Sequence, residues 1–455
     1  MTPSVLEILT HRLADRLWRR WFVGALKSPW EAHLRPPTNR LARIRQRRGR
    51  LLADLVWVLL RPLLPWLARV TAWVARRRLR QQQRAPRAPS GQSIAIGNWI
   101  AGGGGKTPLC IALAIELKAC GLAPAILSRG YRARAADPEP GAVGLGRRTR
   151  VLQPEYLSCT SPAAAGDEAW LMAWRTRCPV GVGADRKAAA DAVLRLYPHI
   201  DVWLLDDGLS QTSLRPDYRI LVLDDRGHGT GKAMPDGPLR GPWPPPPDHT
   251  PDAIVAPTRL DISGITANLP GHPPYRIARE TQPAQWLRFP WSPPSEPARE
   301  SPSLPVSEVT GLQPEAVDIV EGSPPSSLLQ NGPFLALAGI AQPEVFFEML
   351  RHLGLPLIDT LSLPDHVPEI FPALLRWKAA HPFMTTPSLV MTEKDAVKFA
   401  WELRQAERER LSGDSNPALF GSPHSHWWAV RLQSHLPEDW VREMTQSLKQ
   451  PPRLP

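Results

Sequence analysis

The sequence predicts an α/β fold: a doubly wound sheet, a smaller C-terminal α/β unit, and a basic helical region ahead of both. Three observations lead there. From Ser93 onward, short apolar runs bounded by turn residues alternate with helix-like stretches, as in parallel strands joined by helical crossovers. A run of four glycines separates the first apolar run from the first helix-like stretch. The 455-residue chain carries a net charge of +12, yet residues 1–90, with 20 Lys and Arg against four acidic residues, alone carry +16 and the remainder −4.

The basic region reads as helices lying in a membrane interface. Leu51–Val74 is rich in Leu and Trp but broken by Asp54, Arg61 and Arg69. Its charge-free runs are shorter than the ~20 residues a spanning helix needs. Trp18, Trp21, Trp57, Trp66 and Trp73 are amphipathic aromatics of the kind favoured at headgroup level, and Arg76, Arg77, Arg78 and Arg80 follow them. An interfacial helix pair, apolar face in lipid and arginines on anionic headgroups, accounts for both features. A core helix with a solvated basic face is the plainer alternative. Nucleic acid is not an expected partner, because no recognition module accompanies the charge. The start of the chain does not read as a secretory leader.

Gln81–Gly91 is a polar, proline-containing linker. It separates the Trp-rich region, 1–90, from a core domain expected over 91–290. Within that core Ser93–Ile96, Pro124–Leu127, Val202–Leu205, Ile220–Leu223 and Ala253–Val255 read as strands, and Leu109–Leu117, Ala169–Arg177 and Arg186–Leu196 as helices. Trp243–Pro251 and Trp291–Pro325 are proline-rich, and the 53 prolines of the chain call for long irregular connections. Residues 291–330 are expected to be a loosely packed or disordered insertion. A second, smaller α/β domain is expected over 331–455, with strands at Pro333–Ile340 and Ser388–Met391 and a helix at Pro343–Leu353. Cys110, Cys120, Cys159 and Cys178 show no C-x-x-C spacing and read as reduced thiols rather than zinc ligands.

The chemistry centres on Ile100, Ala101, Gly102, Gly103, Gly104, Gly105, Lys106 and Thr107. Strand, glycine loop, Lys-Thr and helix form a phosphate cradle. Bare glycine amides close on phosphate oxygens, and the helix N-terminus adds amides and a positive dipole end. Lys106 would reach the β/γ-phosphates of ATP and Thr107 would ligate Mg²⁺. The usual spacing wants glycine at position 100, where this chain has Ile100, so the loop is a variant form. Asp206 and Asp207 follow a buried-strand pattern and end in Gly208, which suits carboxylates that hold Mg²⁺. A strand capped by a tight turn explains the same residues without a metal. Asp167, in Gly166-Asp167-Glu168, could serve simply as a first-turn acid of the following helix. Arg240 stands in a Pro/Gly-rich loop suited to presenting a guanidinium to phosphate, and His366 follows Asp365 in a proline-bounded loop.

Taken in order, GNWIAGGGGKTP (Gly97–Pro108), SRGY (Ser128–Tyr131), GDE (Gly166–Glu168), DDG (Asp206–Gly208), GPLR (Gly237–Arg240), ALAGIAQPEVFF (Ala336–Phe347), DH (Asp365–His366) and TEKDAVK (Thr392–Lys398) resemble the tetraacyldisaccharide 4′-kinase family. The resemblance covers roughly residues 50–400. It implies a P-loop NTPase-like core with N-terminal membrane-associating helices, ATP and Mg²⁺ as cofactors, and an acylated disaccharide lipid as substrate. The location it implies is peripheral, at the cytoplasmic face of the bacterial inner membrane and on anionic lipids. Asp167 and His366 match the family's proton-accepting pair. Lys106 and Arg240 match its phosphate-contacting cations, and Thr107, Asp206 and Asp207 its metal side. Two departures stand out: Ser210, with Gln211 next, where the family has Gln, and Gly241 where it has Glu. The alternative is a membrane-recruited ATPase acting as a switch or partitioning protein. The signature lysine of that class is replaced here by Ala101.

Overall fold

The structure, a computed structural model, describes residues 5–21, 53–100, 104–130, 142–144, 149–270, 275–279, 281–288, 319–321, 324, 333–340, 343–365, 367, 369–381, 388–411, 427–434 and 436–449. They form two compact units. One comprises Met1–Arg87, Ile94–Lys106 and Asp207–Arg279, the other Ala88–Ser93, Thr107–Asp206 and Glu280–Pro455. Of the expected insertion at 291–330, only a short strand at Ile319–Glu321 and residue 324 belong to the described residues.

In the first unit, β1 (Gln92–Gly97), β7 (Tyr218–Val222), β8 (Ala253–Pro257) and β9 (Tyr275–Arg279) pair in that order, all parallel. Ile94 and Ile96 of β1, Ile220 and Leu221 of β7, and Ile254 and Val255 of β8 are fully buried. Continuous apolar runs of this kind mark parallel strands covered on both faces. Two helices precede them. The first is α1 (Val5–Trp21), and the second, α2, runs over Ala53–Gln83 with a 3₁₀ turn at Arg61–Leu63. α2 is long and apolar enough to cross a membrane by length and composition. It buries only Ala53, Leu64, Ala68 and Gln82, while Leu55, Val58, Leu59, Leu60, Leu63, Trp66, Leu67, Val70 and Trp73 are exposed, Val58 at 67% and Trp66 at 61%.

The arginines of this region divide into two groups. Arg76, Arg77, Arg78 and Arg80 are exposed, as a headgroup-binding role requires. Arg16, Arg19 and Arg20 are paired with Asp54, Asp15 and Asp236. Part of the N-terminal charge therefore holds this unit together.

In the second unit, β2 (Pro124–Ser128), β3 (Ala142–Gly144), β4 (Thr149–Leu152), β5 (Val180–Gly183) and β6 (Val202–Asp206) run in the order β3-β4-β5-β2-β6. β5, β2 and β6 are parallel, and the β3–β4 hairpin adds antiparallel to β5. Three helices serve this layer: α3 (Lys106–Ala119), α4 (Asp167–Thr176) and α5 (Arg186–Leu196). Pro108 falls in the first turn of α3, where its missing N–H has no intrahelical acceptor to lose. α5 starts where Asp185 accepts from the amides of Lys187 (3.0 Å) and Ala188 (3.2 Å).

A second sheet lies in the same unit. β10 (Thr281–Arg288), β11 (Ile319–Glu321), β12 (Phe334–Ala338), β13 (Leu357–Ser362), β14 (Ser388–Thr392) and β15 (Trp427–Ser434) take the order β11-β10-β15-β14-β12-β13. β15, β14, β12 and β13 are parallel. Among the described residues, the longer helices beside this sheet are α6 (Pro343–His352), α7 (Phe371–Ala380), α8 (Glu393–Leu411) and α9 (Glu438–Lys449). Leu374, Trp377, Phe399 and Trp427 form one core of this sheet, and Trp286, Phe347, Leu350 and Trp428 the other. Expected and observed elements agree to within two residues at Ser93–Ile96, Val202–Leu205, Pro343–Leu353 and Ser388–Met391.

The α5 cap supplies a test. Asp185→Ala removes an acceptor shared by two otherwise unbonded amides and is expected to lower stability by about 1 kcal/mol. Urea denaturation read by circular dichroism measures it, and an unchanged midpoint would contradict the cap.

Candidate active site

Two clusters of buried charge stand out, one in each unit. In the first unit β1 ends at Gly97, and the glycine loop returns to the chain at Gly104. A side chain at Gly104 would begin 2.9 Å from Asn98 Nδ2, so any larger residue would push the Asn98 amide aside. Gly105 has φ +76°, a left-handed conformation that glycine adopts without strain. Lys106 opens α3, and its Nζ donates to Asn98 Oδ1 at 3.1 Å and lies 3.5 Å from Asp207 Oδ1. Ala101, Gly102 and Gly103 lie outside the described residues.

Asp207 is the centre of this cluster. It has φ 50° and ψ 39°, a left-handed turn that Asp tolerates better than most residues. Arg240 donates from one guanidinium nitrogen to both carboxylate oxygens of Asp207, each at 3.0 Å. Burial works against the Asp207 charge, but Lys106 and Arg240 outweigh it and hold the carboxyl below its usual range. Arg240 is placed by its backbone: its amide donates to Trp99 O at 2.7 Å, and Ile100 bridges to Leu239 beside it. Ile100, out of register with the common glycine spacing, is fully buried at that bridge. Trp243 packs edge-on to Trp99 and against His228.

The N-terminal helices brace the same loops. Trp21 Nε1 donates to Pro235 O at 3.0 Å, and Arg20 Nε to Asp236 Oδ1 at 2.7 Å. From α2, Gln82 Nε2 donates to Gly208 O at 3.0 Å. A side chain at Gly241 would begin 3.5 Å from Ala75 Cβ, so the residue replacing the family's Glu lies against α2. Gln211 accepts from the amides of Ser213 (2.8 Å) and Leu214 (2.9 Å) and so serves a local turn, while Ser210 is exposed.

In the second unit Asp206 ends β6 and is buried. Ser128 Oγ approaches its Oδ2 at 3.4 Å, and Arg186 holds its carbonyl at 2.9 Å. Thr107 lies in the first turn of α3. These hard oxygen donors suit Mg²⁺. Among the described residues no three His, Cys, Asp or Glu side chains group as a complete metal cage. Cys110 and Cys178 are buried, and burial pushes both thiols up, away from reactivity.

The second cluster surrounds Asp167. Gly166, at φ +87°, turns the chain so that Asp167 begins α4 with its carboxylate buried. Lys398 Nζ lies 2.8 Å from Asp167 Oδ2. Lys394 Nζ lies 3.6 Å from Asp167, 3.6 Å from Glu168 and 2.9 Å from Asp365. Burial opposes the Lys394 charge, but these three carboxylates prevail and keep it above the usual lysine range. His366 lies outside the described residues. Its neighbours on either side, Asp365 and Val367, both contact the lysines that hold Asp167, Val367 by donation from Lys398 Nζ to its carbonyl at 3.2 Å.

Sequence reading missed three members of these clusters. Asn98 sits inside the loop motif but has no charge to draw attention. Lys394 and Lys398 sit in TEKDAVK, a segment whose place in the family pattern was clear while its chemistry was not. Their spacing of four on one helix was the available signal.

The fold and the loop define a doubly wound α/β protein of the phosphate-loop class. A family model described as Tetraacyldisaccharide-1-P 4'-kinase matches residues 56–449. The tetraacyldisaccharide 4'-kinase of Leptothrix cholodnii is 34% identical, over 80% of this chain and 83% of its own length. That of Bordetella petrii is 35% identical, over 82% and 91%. The chain belongs to the tetraacyldisaccharide-1-P 4'-kinase family. Among solved structures, LpxK from Aquifex aeolicus in complex with ATP shares the fold, with a TM-score of 0.55 at 19% identity over 86% of this chain and 98% of that one.

Glu402 of α8 offers a pH test next to the second cluster. It accepts from the amides of Ile370 and Phe371, both at 2.7 Å, and fixes the start of α7. Burial pushes its carboxyl up to about 7. The folded state therefore binds this proton more tightly than the unfolded chain, whose carboxyl titrates near ~4.3. Its contribution is full below that pH and is lost as pH rises through about 7. Glu402→Gln is expected to flatten the fall in stability between pH 5 and 7. Urea midpoints across that window that fall as steeply in the variant as in the native chain would contradict it.

Proposed function

We propose that this chain transfers the γ-phosphoryl of ATP to the 4′-hydroxyl of a tetraacylated glucosamine disaccharide 1-phosphate, giving lipid IVA in lipid A biosynthesis. The observation that carries this reading is the Lys106–Asp207–Arg240 cluster beside the glycine loop, in a chain of this kinase family.

In this mechanism Gly102–Gly105 and the α3 N-terminus bind the nucleotide phosphates. Lys106 and Arg240 are aimed by Asp207 and neutralise charge on the transferring group, where phosphoryl transfer depends mostly on positioning and electrostatics. Thr107, Asp206 and Asp207 are the oxygen donors that would hold Mg²⁺. When bound, the ion supplies further neutralisation of the phosphate oxygens. Asp167, with His366, accepts the proton of the 4′-hydroxyl. The sugar O–H bond breaks as its oxygen bonds to the γ-phosphorus, the bond to the β-phosphate oxygen breaks, and ADP leaves.

The substrate carries acyl chains, and α2 presents the apolar, Trp-bearing face such a substrate requires of its enzyme. We place the enzyme on the cytoplasmic face of the inner membrane, with Arg76, Arg77, Arg78 and Arg80 on anionic headgroups.

Two measurements test this reading. With ATP, Mg²⁺ and the lipid acceptor in mixed micelles, Lys106→Ala is expected to lower kcat by about 10²–10³-fold. Undiminished transfer would overturn the loop assignment, and rapid ATP hydrolysis without acceptor would favour a switch ATPase. Replacing the four arginines with glutamine is expected to weaken binding to phosphatidylglycerol vesicles by about 1 kcal/mol per residue, measured by co-sedimentation. Equal binding by the variant would remove the headgroup role.

A further inference from the structure

TEKDAVK is a family segment to which the mechanism above gives no work, yet nearly every polar side chain in it is committed. Thr392 and Asp395 bond reciprocally at the start of α8, with Thr392 Oγ1 donating to Asp395 Oδ2 at 2.6 Å and the Asp395 amide donating to Thr392 Oγ1 at 3.2 Å. Asp395 also accepts from the Gly339 amide at 2.8 Å, which ties α8 to the end of β12. A side chain at Gly339 would begin 2.7 Å from Asp395 Oδ1, so this tie requires glycine in ALAGIA. Glu393 is buried between Arg175 and Arg431, each 2.7 Å away, and Arg431 lies over the Trp174 ring at 5.3 Å. Arg175 and Trp174 belong to α4, the helix that Asp167 begins. The first turn of α8 is thus tied to α4 through Glu393 and Lys394 and to the end of β12 through Asp395. Its two lysines can then reach Asp167 only from a fixed origin.

Given the reading of Asp167 as proton acceptor, we propose that Lys398 is a positioning residue for the transfer reaction, holding the Asp167 carboxylate charged and aimed while fixing the backbone beside position 366 through the Val367 carbonyl. A carboxylate this buried without a cation would hold its proton and could not act as a base. Lys398 is buried and shows two bonds here, to Asp167 and to Val367. Lys394 closes the other side by joining Asp167 and Glu168 to Asp365. Among the described residues, Lys398 and Lys394 from α8 pair with Asp167, while Glu168 from α4 and Asp365 from the loop share Lys394 with it.

The test uses the full chain with ATP, Mg²⁺ and the lipid acceptor in micelles, and follows kcat and the KM for ATP against pH. Lys398→Gln keeps a donor for Val367 without the charge, Lys398→Met removes both, and Lys398→Arg keeps the charge. The acidic limb of kcat is expected to move up by about one pH unit or more in the Gln variant, with the KM for ATP within about twofold. In Lys398→Arg the limb is expected to stay near its native place. If the Met variant fails to fold, the Gln and Arg variants decide. Native kcat and an unmoved limb in Lys398→Gln would overturn the proposal, as would a uniform loss at all pH values that Arg does not relieve. Asp167→Asn run in parallel separates the two claims. Its retention of native kcat would remove Asp167 as the base, whereas its loss beside a native-like Lys398→Gln would remove only the role of Lys398.

Discussion

The acids at the centre of both charge clusters each sit against cations, and the surroundings of the two clusters follow from that pairing. Asp207 lies between Lys106 and Arg240, Asp167 beside Lys398 and Lys394, and Glu393 between Arg175 and Arg431. Leaving any of these acids buried alone would cost several kcal/mol or force it to take up a proton. The backbone around them is shaped to deliver the cations. The glycine loop brings Lys106 to the start of α3, the Trp99 carbonyl anchors Arg240, and the tie between Gly339 and Asp395 sets the first turn of α8.

Much of this was legible in the sequence, for reasons that differ from place to place. Strands such as Val202–Asp206 are buried on both faces, so composition alone revealed them. The glycine loop was legible because Lys-Thr after glycines, at a strand-to-helix junction, has few other uses. The partner of Arg240 was not legible, because an ion pair across 33 residues leaves no local pattern. Lys394 and Lys398 were hidden in another way. On a helix, a lysine aimed inward at a buried acid and one reaching into solvent look alike in sequence.

In the N-terminal region, composition merges two kinds of arginine that the structure separates. Its charge excess suggested arginines facing lipid, and Arg76–Arg78 and Arg80 are exposed as that reading needs. Arg16, Arg19 and Arg20 instead neutralise aspartates, one of them in the loop that leads to Arg240. Gly241 makes the complementary point. It stands where the family has Glu, and a side chain there would meet Ala75 of α2 at ordinary contact distance.

The docking of α2 through Ala75 and Gln82 has a geometric consequence. Leu55 to Trp73, the exposed apolar stretch, covers about 27 Å of helix axis, and Gln82, which holds Gly208 beside Asp207, lies about 14 Å beyond Trp73 at 1.5 Å per residue. The helix therefore acts as a standoff of fixed length. It keeps the Asp207 turn at a set distance along the axis from the last exposed tryptophan. Inserting or deleting residues between Trp73 and Gln82 would change that spacing without altering a single residue of the Lys106–Asp207–Arg240 cluster.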